Sequence, residues 1–418
     1  MSIKTKFISQ VKSNEIFNDI KFNSKKIDIK ENRKKEHLKS STNLIILFLI
    51  ILVSMLSQIY AFKKSELRKL ADGNYITLTI EATGNHNIIS RDYANFISSI
   101  EINDNAAPDL SILQNLASNP STIKITFNSQ LTSCKNMFVN IPDITIVDLT
   151  HLDFSLVTDM ESLFEGCTSL KSVDLNNIDA TNVLSMNNMF KNCRLLESVN
   201  FSNFQTNKIQ KLDSMFYGCE TITSIDLSSF TTPDLLLLSN TFGVCRALTY
   251  LDLGDINTSK VTHMNAMFRE CNSLSTLDLS KFNTESVQYM NQMFDQCHSF
   301  ISLDLSSFRT PALLNMYAMF YNNYRLKSLD IRNFDTTLVT NMGQVFDQCQ
   351  AITSLNISHF HTPSATNMWH MFYNCKELVN LDISNFDTHN IKSMEGLFQS
   401  CIKLKSLDLK NFNTSEFF

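Results

Sequence analysis

The cysteines carry the most obvious chemistry in the chain, since thiols bind metals, form disulfides or act as nucleophiles. Nine of the ten share one register, separated by 26 residues or by a single gap of 52, and Asn323 stands at the missing position. No CxxC pair occurs, so the spacing is unlike that of a zinc site. If these cysteines lie on helices packed about 8 to 10 Å apart, a disulfide cannot join them. We therefore predict a column of buried free thiols, with a local distortion of the stack at Asn323. The nine are Cys167, Cys193, Cys219, Cys245, Cys271, Cys297, Cys349, Cys375 and Cys401.

A second register holds acidic residues, which would project from successive strands. Nine repeats carry Asp there and two carry Asn. Like charges about 4.8 Å apart repel by roughly 0.9 kcal/mol per neighbour in water, so something must offset the repulsion. One interpretation is local hydrogen bonding to flanking Ser and Thr, and the other is binding of Ca²⁺ or of a basic partner. The candidate calcium residues are Asp226, Asp252, Asp278, Asp304 and Asp330, and the last three are also candidates for partner binding.

Aromatic residues form a weaker pattern. Tyr317 and Trp369 share one register two repeats apart, and Tyr321 and Tyr373 share another with Tyr217. Because Trp and Tyr are favoured anchors in binding interfaces, we predict that Tyr317, Tyr321, Trp369 and Tyr373 contact a partner.

Four glycosylation sequons also occur, at Asn200, Asn257, Asn356 and Asn413. Sugars at Asn200 and Asn356 would cover the aspartate column, so those sugars and a ligand on that column are competing predictions.

Catalytic patterns are missing from the sequence. The nine His share no register, and there is no GxSxG, HExxH or P-loop motif. The pair His359 and His361 is too little for a metal site by itself. We predict no enzymatic activity and no cofactor.

The elements that position these residues repeat every 26 residues. Eleven phenylalanines share one phase, so the chain holds about eleven copies of one unit. Within the unit, Leu277 and Leu279 alternate with polar residues as in a half-buried strand. The apolar spacing from Val287 to Cys297 then fits one stripe of a helix, with Thr284 as its N-cap. The phenylalanines are Phe138, Phe164, Phe190, Phe216, Phe242, Phe268, Phe294, Phe320, Phe346, Phe372 and Phe398.

A unit of this size cannot bury its own apolar face, so the copies must stack. We predict an α/β solenoid, a right-handed stack of about eleven strand–helix coils over residues 137–418. Residues 73–136 contain three alternating apolar segments and are predicted to form an N-terminal cap of strands.

The N-terminal part differs in composition from the repeats. Residues 1–42 hold 11 Lys/Arg and 5 Asp/Glu, net +6, which leaves 25 and 36, net −11, of the total −5. Residues 43–62 include an uncharged run of 19 residues, long enough to span a bilayer as a helix. We predict a basic cytoplasmic tail over 1–42, a transmembrane signal anchor over 43–62, and a linker over 63–72. A cleaved signal peptide is the alternative, which would make the protein secreted.

The unit LDLSxFxTxxVxxMxxMFxxC, as in Leu277 to Cys297, resembles the BspA-like leucine-rich repeat surface proteins, also known from mycoplasma lipoprotein-associated repeats. This resemblance implies a leucine-rich-repeat-like solenoid displayed on a cell surface and associated with adhesion. We therefore predict a single-pass cell-surface protein that binds an extracellular protein or glycan, and not nucleic acid, through its extended repeat face. The alternative is a structural spacer or coat protein without a specific ligand.

Overall fold

The computed structural model describes residues 74–413, all within one compact unit, Lys69–Phe418. Among these residues the only helix is a 3₁₀ helix, Arg91–Phe96. Everything else is strand, turn or extended chain. The strands are β1 (Tyr75–Ile80), β2 (Gly84–Asn87), β3 (Ile97–Ile102), β4 (Asn105–Ala106), β5 (Leu113–Leu116), β6 (Ser121–Phe127), β7 (Ile144–Asp148), β8 (Ser172–Asp174), β9 (Ser198–Asn200), β10 (Ser224–Asp226), β11 (Tyr250–Asp252), β12 (Ser302–Asp304), β13 (Ser328–Asp330), β14 (Ser354–Leu355) and β15 (Asn380–Leu381).

The first strands and the first coils share one sheet. Its order is β4-β3-β6-β1-β7-β8-β9, with β1 antiparallel to both β6 and β7. The three strands expected from alternation near the N-terminus are confirmed as β1, β3 and β6. Because β1 pairs directly with the first strand of the solenoid, these strands cover the sheet edge that this strand would otherwise expose.

The coils stack in register through two parallel ladders. In the first ladder, each short strand pairs with residues 26 positions further on, as Val147 does with Val173 and Val173 with Val199. The second ladder is one residue wide per coil and runs without a break from Asp159 to Ser393. Successive coils are therefore spaced like neighbouring β-strands, about 4.8 Å apart.

The predicted strand–helix coils are wrong, because the segment after each strand folds as consecutive turns. Alternate N–H groups bond to the next coil, as Met160 does to Ser185 O at 3.0 Å and Phe164 to Met189 O at 2.8 Å. The N–H groups between them bond three residues back within the coil, as that of Leu163 does to Met160 O. The solenoid is thus a β-solenoid, in which neighbouring coils supply hydrogen bonds that an α-helix would make internally.

The backbone conformation explains why no helix forms there. In every coil the residue two positions before the column phenylalanine has a positive φ, as at Asn188 with φ 56°, and so does the residue two positions after it, as at Asn192 with φ 60°. An α-helix has no place for two left-handed residues in one turn. Asn, Gly and Ser, which adopt this conformation at low cost, fill most of these positions.

Thr284 does not cap a helix either. Its Oγ1 donates to the carbonyl oxygen of Arg309 at 2.7 Å and accepts the N–H of the same residue at 2.9 Å. Equivalent threonines are buried in neighbouring coils and make the same bridge, as Thr310 does to Asp335 and Thr336 to His361 O. This threonine column joins the coils at a corner where no strand pairs.

The core consists of stacked identical side chains. The eleven column phenylalanines are fully or largely buried, and their rings lie 5.3 to 6.1 Å apart with planes within 15° of parallel. The stack continues unchanged past Asn323, where Phe294, Phe320 and Phe346 are spaced 5.8 and 5.7 Å apart. The predicted distortion at Asn323 does not occur.

No helix within residues 74–413 is long and apolar enough to cross a membrane. This finding contradicts the predicted transmembrane helix, the signal anchor and the single-pass cell-surface localisation. The segments on which those predictions rest, 1–42, 43–62 and 63–72, lie outside the described residues.

Candidate interaction surfaces

The cysteine column lies inside the solenoid as free thiols. Each Sγ donates to a phenylalanine carbonyl oxygen 29 residues earlier, as that of Cys271 does to Phe242 O at 3.1 Å. Burial raises the pKa of Cys271 to about 12, so the reactive thiolate is strongly disfavoured. The prediction of buried free thiols is confirmed, although the reason differs, since the coils lie closer together than packed helices would.

We call the outward side of the short strands, with its serine and aspartate columns, the strand face. Each aspartate there accepts the backbone N–H two residues further on, as Asp278 does from Ser280 and Asp304 from Ser306, both at 2.9 Å. The N–H of Ser280 is the first cause that lowers the pKa of Asp278. Local hydrogen bonding therefore offsets the repulsion along the column, as the first interpretation predicted. Asn200 makes the same bond to Ser202, which explains why Asn substitutes for Asp.

The other predicted residues of this column make the same turn. The N–H groups of Ser228, Gly254 and Arg332 donate to Asp226, Asp252 and Asp330. Asp330 is also paired with the Arg332 guanidinium, whose hydrogen bond is the main reason that the pKa of this carboxyl is lowered. Among the described residues no group of three or more His, Cys, Asp or Glu side chains is placed to hold a metal ion. The structure therefore gives the calcium alternative no support.

A groove of about 780 Å³ runs along the strand face of the first coils. Hydroxyl, carboxamide and carboxylate groups line it, with no Lys or Arg among the lining residues. Ile146, half exposed at 46%, stands at the end of the groove nearest the cap. Its acidic residues are Asp148, Asp174 and Asp226.

The four sequons fall at turns. The side-chain oxygens of Asn200 and Asn257 accept the N–H groups of Ser202 and Ser259. Asn200, Asn257 and Asn356 are exposed, whereas Asn413 is half-buried. The amide nitrogen of Asn200 also donates to Asp174 at 3.0 Å. Glycosylation at these positions stays a prediction.

We call the outward positions −3, −2, +1 and +2 around each column phenylalanine the turn face. The predicted aromatic residues lie on it and are half-buried. The ring of His370 stacks between Trp369, at 4.2 Å between centroids, and Tyr373, at 4.5 Å. The hydroxyl of Tyr317 donates to Gln344 Oε1. The sequence pattern of 26-residue registers found Tyr317, Tyr321, Trp369 and Tyr373, but missed His370, which completes the stack.

Two buried carboxyls lie on either side of Tyr321 in the same column. Asp295 and Asp347 are each 2% exposed, and one oxygen of each has no hydrogen-bond partner among the described residues. Burial raises the pKa of Asp295 to about 6, opposed by Arg269, whose Nε lies 3.1 Å away. Burial also raises the pKa of Asp347. Sequence reasoning missed both, because only the structure shows that this column is withdrawn from solvent.

The turn face of earlier coils carries ion pairs instead. Arg246 contacts Glu220 at 2.8 Å and Glu270 at 2.7 Å, and Glu270 in turn contacts Arg269 at 3.2 Å. Such exposed pairs contribute little stability each, but they satisfy the charges at this end of the face.

These features define a leucine-rich-repeat-like solenoid, a class of repeat protein. The chain belongs to the family described as Mycoplasma protein of unknown function, DUF285, whose model matches residues 132–248, 236–354 and 315–417. Together the matches span more than half of the chain. No curated protein is similar to it in sequence.

Solved structures with similar chains include an internalin (inlF) from Listeria monocytogenes, 12% identical, covering 62% of this chain and 74% of that chain, with a TM-score of 0.25. A leucine-rich repeat protein from Leptospira interrogans is 15% identical, with coverages of 62% and 67% and a TM-score of 0.22. The protein in a TLR13–ssRNA13 complex is 17% identical, with coverages of 62% and 42% and a TM-score of 0.21. At such scores the ligands of these proteins carry no weight for this chain.

Proposed function

We propose that this chain is a non-enzymatic recognition protein, whose stiff repeat scaffold binds a protein or glycan partner. The observation that supports this most is the aromatic stack of Trp369, His370 and Tyr373 on the turn face. Held in place by the coils, these rings lose little conformational freedom when a partner binds, as is typical of binding hot spots. Adhesion, implied by the finer resemblance to BspA-like proteins, belongs to this proposal.

The strand face is the second candidate surface. Asp278 and Asp304 are exposed, and their turns fix the carboxylates in a regular row. Asp330 contributes less, since Arg332 neutralises it. A partner with spaced basic groups would fit this row. The structural spacer or coat protein, which needs no specific contact, remains the alternative function.

The test uses the purified full chain and an immobilised panel of matrix proteins and glycans. We expect saturable binding, which Trp369→Ala weakens if the turn face is used, and the triple change of Asp278, Asp304 and Asp330 to Asn weakens if the strand face is used. Circular dichroism checks that each variant keeps the fold. Absence of saturable binding to any panel member would favour the spacer over recognition.

A further inference from the structure

The character of the turn face changes along the solenoid. Over the five coils from Phe164 to Phe268, its four outward positions hold six charged residues and one aromatic residue, Tyr217. Over the next four coils, from Phe294 to Phe372, the same positions hold five aromatic or imidazole rings and seven carboxamides. The earlier charged residues are Glu161, Glu165, Lys191, Asp213, Arg269 and Glu270.

We call the outward residues of these four later coils the platform. Its coils lie side by side at strand spacing, so the rings and amides form one patch. The platform rings are Tyr317, Tyr321, Trp369, His370 and Tyr373, and the platform carboxamides are Asn291, Gln292, Gln296, Asn322, Gln344, Gln348 and Asn374. The remaining four positions are Ala318, Gly343, Asp295 and Asp347.

The platform presents almost no charge to solvent. It contains no Lys or Arg, and its two carboxyls, Asp295 and Asp347, are 2% exposed. The guanidinium of Arg269, from the preceding coil, is directed to Asp295 at 3.1 Å. A ligand with a high charge density, such as nucleic acid or a sulfated polymer, therefore finds no complementary field here.

The rings are fixed by neighbouring coils. Tyr317 lies close to Gly343 of the next coil, whose missing side chain leaves room for the ring: a Cβ on Gly343 would lie 3.3 Å from Tyr317 Cδ2. His370 is placed in the same way over Gly396, where a Cβ would lie 2.4 Å from His370 Cδ2. Because Tyr317 and Trp369 occupy the same register two coils apart, strand spacing separates their backbones by about 10 Å. This distance is comparable to two sugar units of an extended polysaccharide.

From this arrangement we infer that the platform binds a neutral glycan chain. Sugar rings expose C–H groups that pack against aromatic faces, whose quadrupole is negative at the face. Their hydroxyls are donors and acceptors at once, and Asn and Gln carboxamides offer both roles. The absence of exposed charge suits a neutral chain better than a sialylated or sulfated one. This inference rests on the proposed function, since it names the class of partner.

A peptide partner is less well matched. Protein-binding hot spots combine Tyr and Trp with Arg and apolar anchors in a dry centre. The platform has no Arg, and Ala318 is its only aliphatic residue. Its many carboxamides would stay unpaired against an apolar peptide surface, which costs free energy.

The test exploits Trp369, the only tryptophan in the chain, because its fluorescence reports on the platform itself. The full chain is titrated with hexamers of neutral β-linked glucose, xylose and N-acetylglucosamine, with a heparin hexasaccharide, and with a tyrosine-rich decapeptide. We expect a saturable emission change with at least one neutral hexamer that is unaltered between about 50 and about 500 mM NaCl. Tyr321→Ala and Tyr373→Ala should each weaken binding about tenfold.

Tyr217→Ala is the matched control, since Tyr217 shares the register of Tyr321 and Tyr373 but lies in the charged coils. It should leave the affinity unchanged. The inference is overturned if no neutral hexamer changes the emission, if Tyr217→Ala weakens binding as much as Tyr373→Ala, or if only heparin or the peptide binds. In the last case recognition by the scaffold stands while the neutral glycan is excluded.

Discussion

The side-chain amide of Asn323 donates to the carbonyl oxygen of Phe294 at 2.8 Å, which is the bond that a cysteine thiol makes in the neighbouring coils. The same amide reaches Phe320 O at 2.9 Å. Asn323 therefore replaces cysteine as a donor, and the phenylalanine stack is undisturbed. What it does not satisfy is its own Oδ1, which is buried without a partner among the described residues.

Asn323→Cys should stabilise the protein by about 1 kcal/mol, because it keeps a donor to Phe294 and removes an unpaired buried oxygen. Asn323→Ala should destabilise it by about 2 kcal/mol, because both carbonyls then lose their donor. Chemical denaturation followed by circular dichroism measures both. A loss of stability in Asn323→Cys would show that the second bond, to Phe320, outweighs the unpaired oxygen.

The threonine column gives a prediction of opposite sign to simple hydrophobicity. Thr284→Val adds no polar burial but leaves the N–H and the carbonyl of Arg309 without the hydroxyl, so we expect a loss of about 2 kcal/mol or more. Thr284→Ser keeps both bonds and loses one methyl group, which costs about 1 kcal/mol. Equilibrium unfolding of the two variants decides the order, and greater damage from Ser than from Val would refute the bridge.

The 26-residue register and the buried columns could be read from the sequence, but the helix could not be told from turns. Val287, Met290, Met293 and Cys297 face the core in both structures, because consecutive turns also bring every third residue inward. The distinguishing signal was polar: Asn, Gly and Ser recur at positions 2 before and 2 after each column phenylalanine. These residues tolerate a positive φ, and an apolar period does not record it.

The candidate surface was predicted only in part for a related reason. A shared register showed that Tyr317 and Trp369 would align, since alignment depends only on spacing. The burial of Asp295 and the stacking of His370 between two rings depend on side-chain directions and on neighbouring coils. Pairwise contacts of that kind have no periodic signature in a single sequence.

The left-handed position at Asn192 separates turns from a helix by the sign of one substitution. In an α-helix Asn192→Ala would be stabilising, since Ala has the higher helix propensity. With φ at 60°, Ala should instead cost about 1 kcal/mol, whereas Gly should be nearly neutral. Gly166 and Gly218 occupy this register in the adjacent coils with φ 76° and 75°. Thermal unfolding of Asn192→Ala and Asn192→Gly tests this, and a more stable Ala variant would contradict the turns.

Asp295 should make stability depend on pH. Burial raises its pKa from the unfolded value of 3.8 to about 6, so the protonated form is favoured in the folded state. Its contribution is complete below about pH 3.8 and is lost as the pH rises through about 6. Asp295→Asn should therefore match the parent at pH 4 and exceed its stability at pH 7.5 by about 2 kcal/mol. Equal stabilities at pH 7.5 would show that Arg269 compensates the ionised carboxylate fully.

His86 ties the first strands to the solenoid in a way that requires its cationic form. Its Nδ1 lies 2.8 Å from Asp143 Oδ2 and its Nε2 lies 3.0 Å from Thr83 O, and since both oxygens only accept, both ring nitrogens must donate. The bond to Thr83 is the first cause that raises the pKa of His86 above 6.5.

A group with a raised folded pKa stabilises the fold fully below its unfolded pKa and loses that effect as the pH rises through the folded value. The full chain should therefore lose stability as the pH rises from about 6 towards about 8, and His86→Gln should flatten this dependence by about 1 kcal/mol. Thermal melts of both proteins across this range measure the difference. Asp143→Asn is the control, since it removes the ionic partner while Thr83 keeps its bond. An unchanged slope in His86→Gln would assign the pH dependence to other groups, and a parent with no slope would exclude the imidazolium.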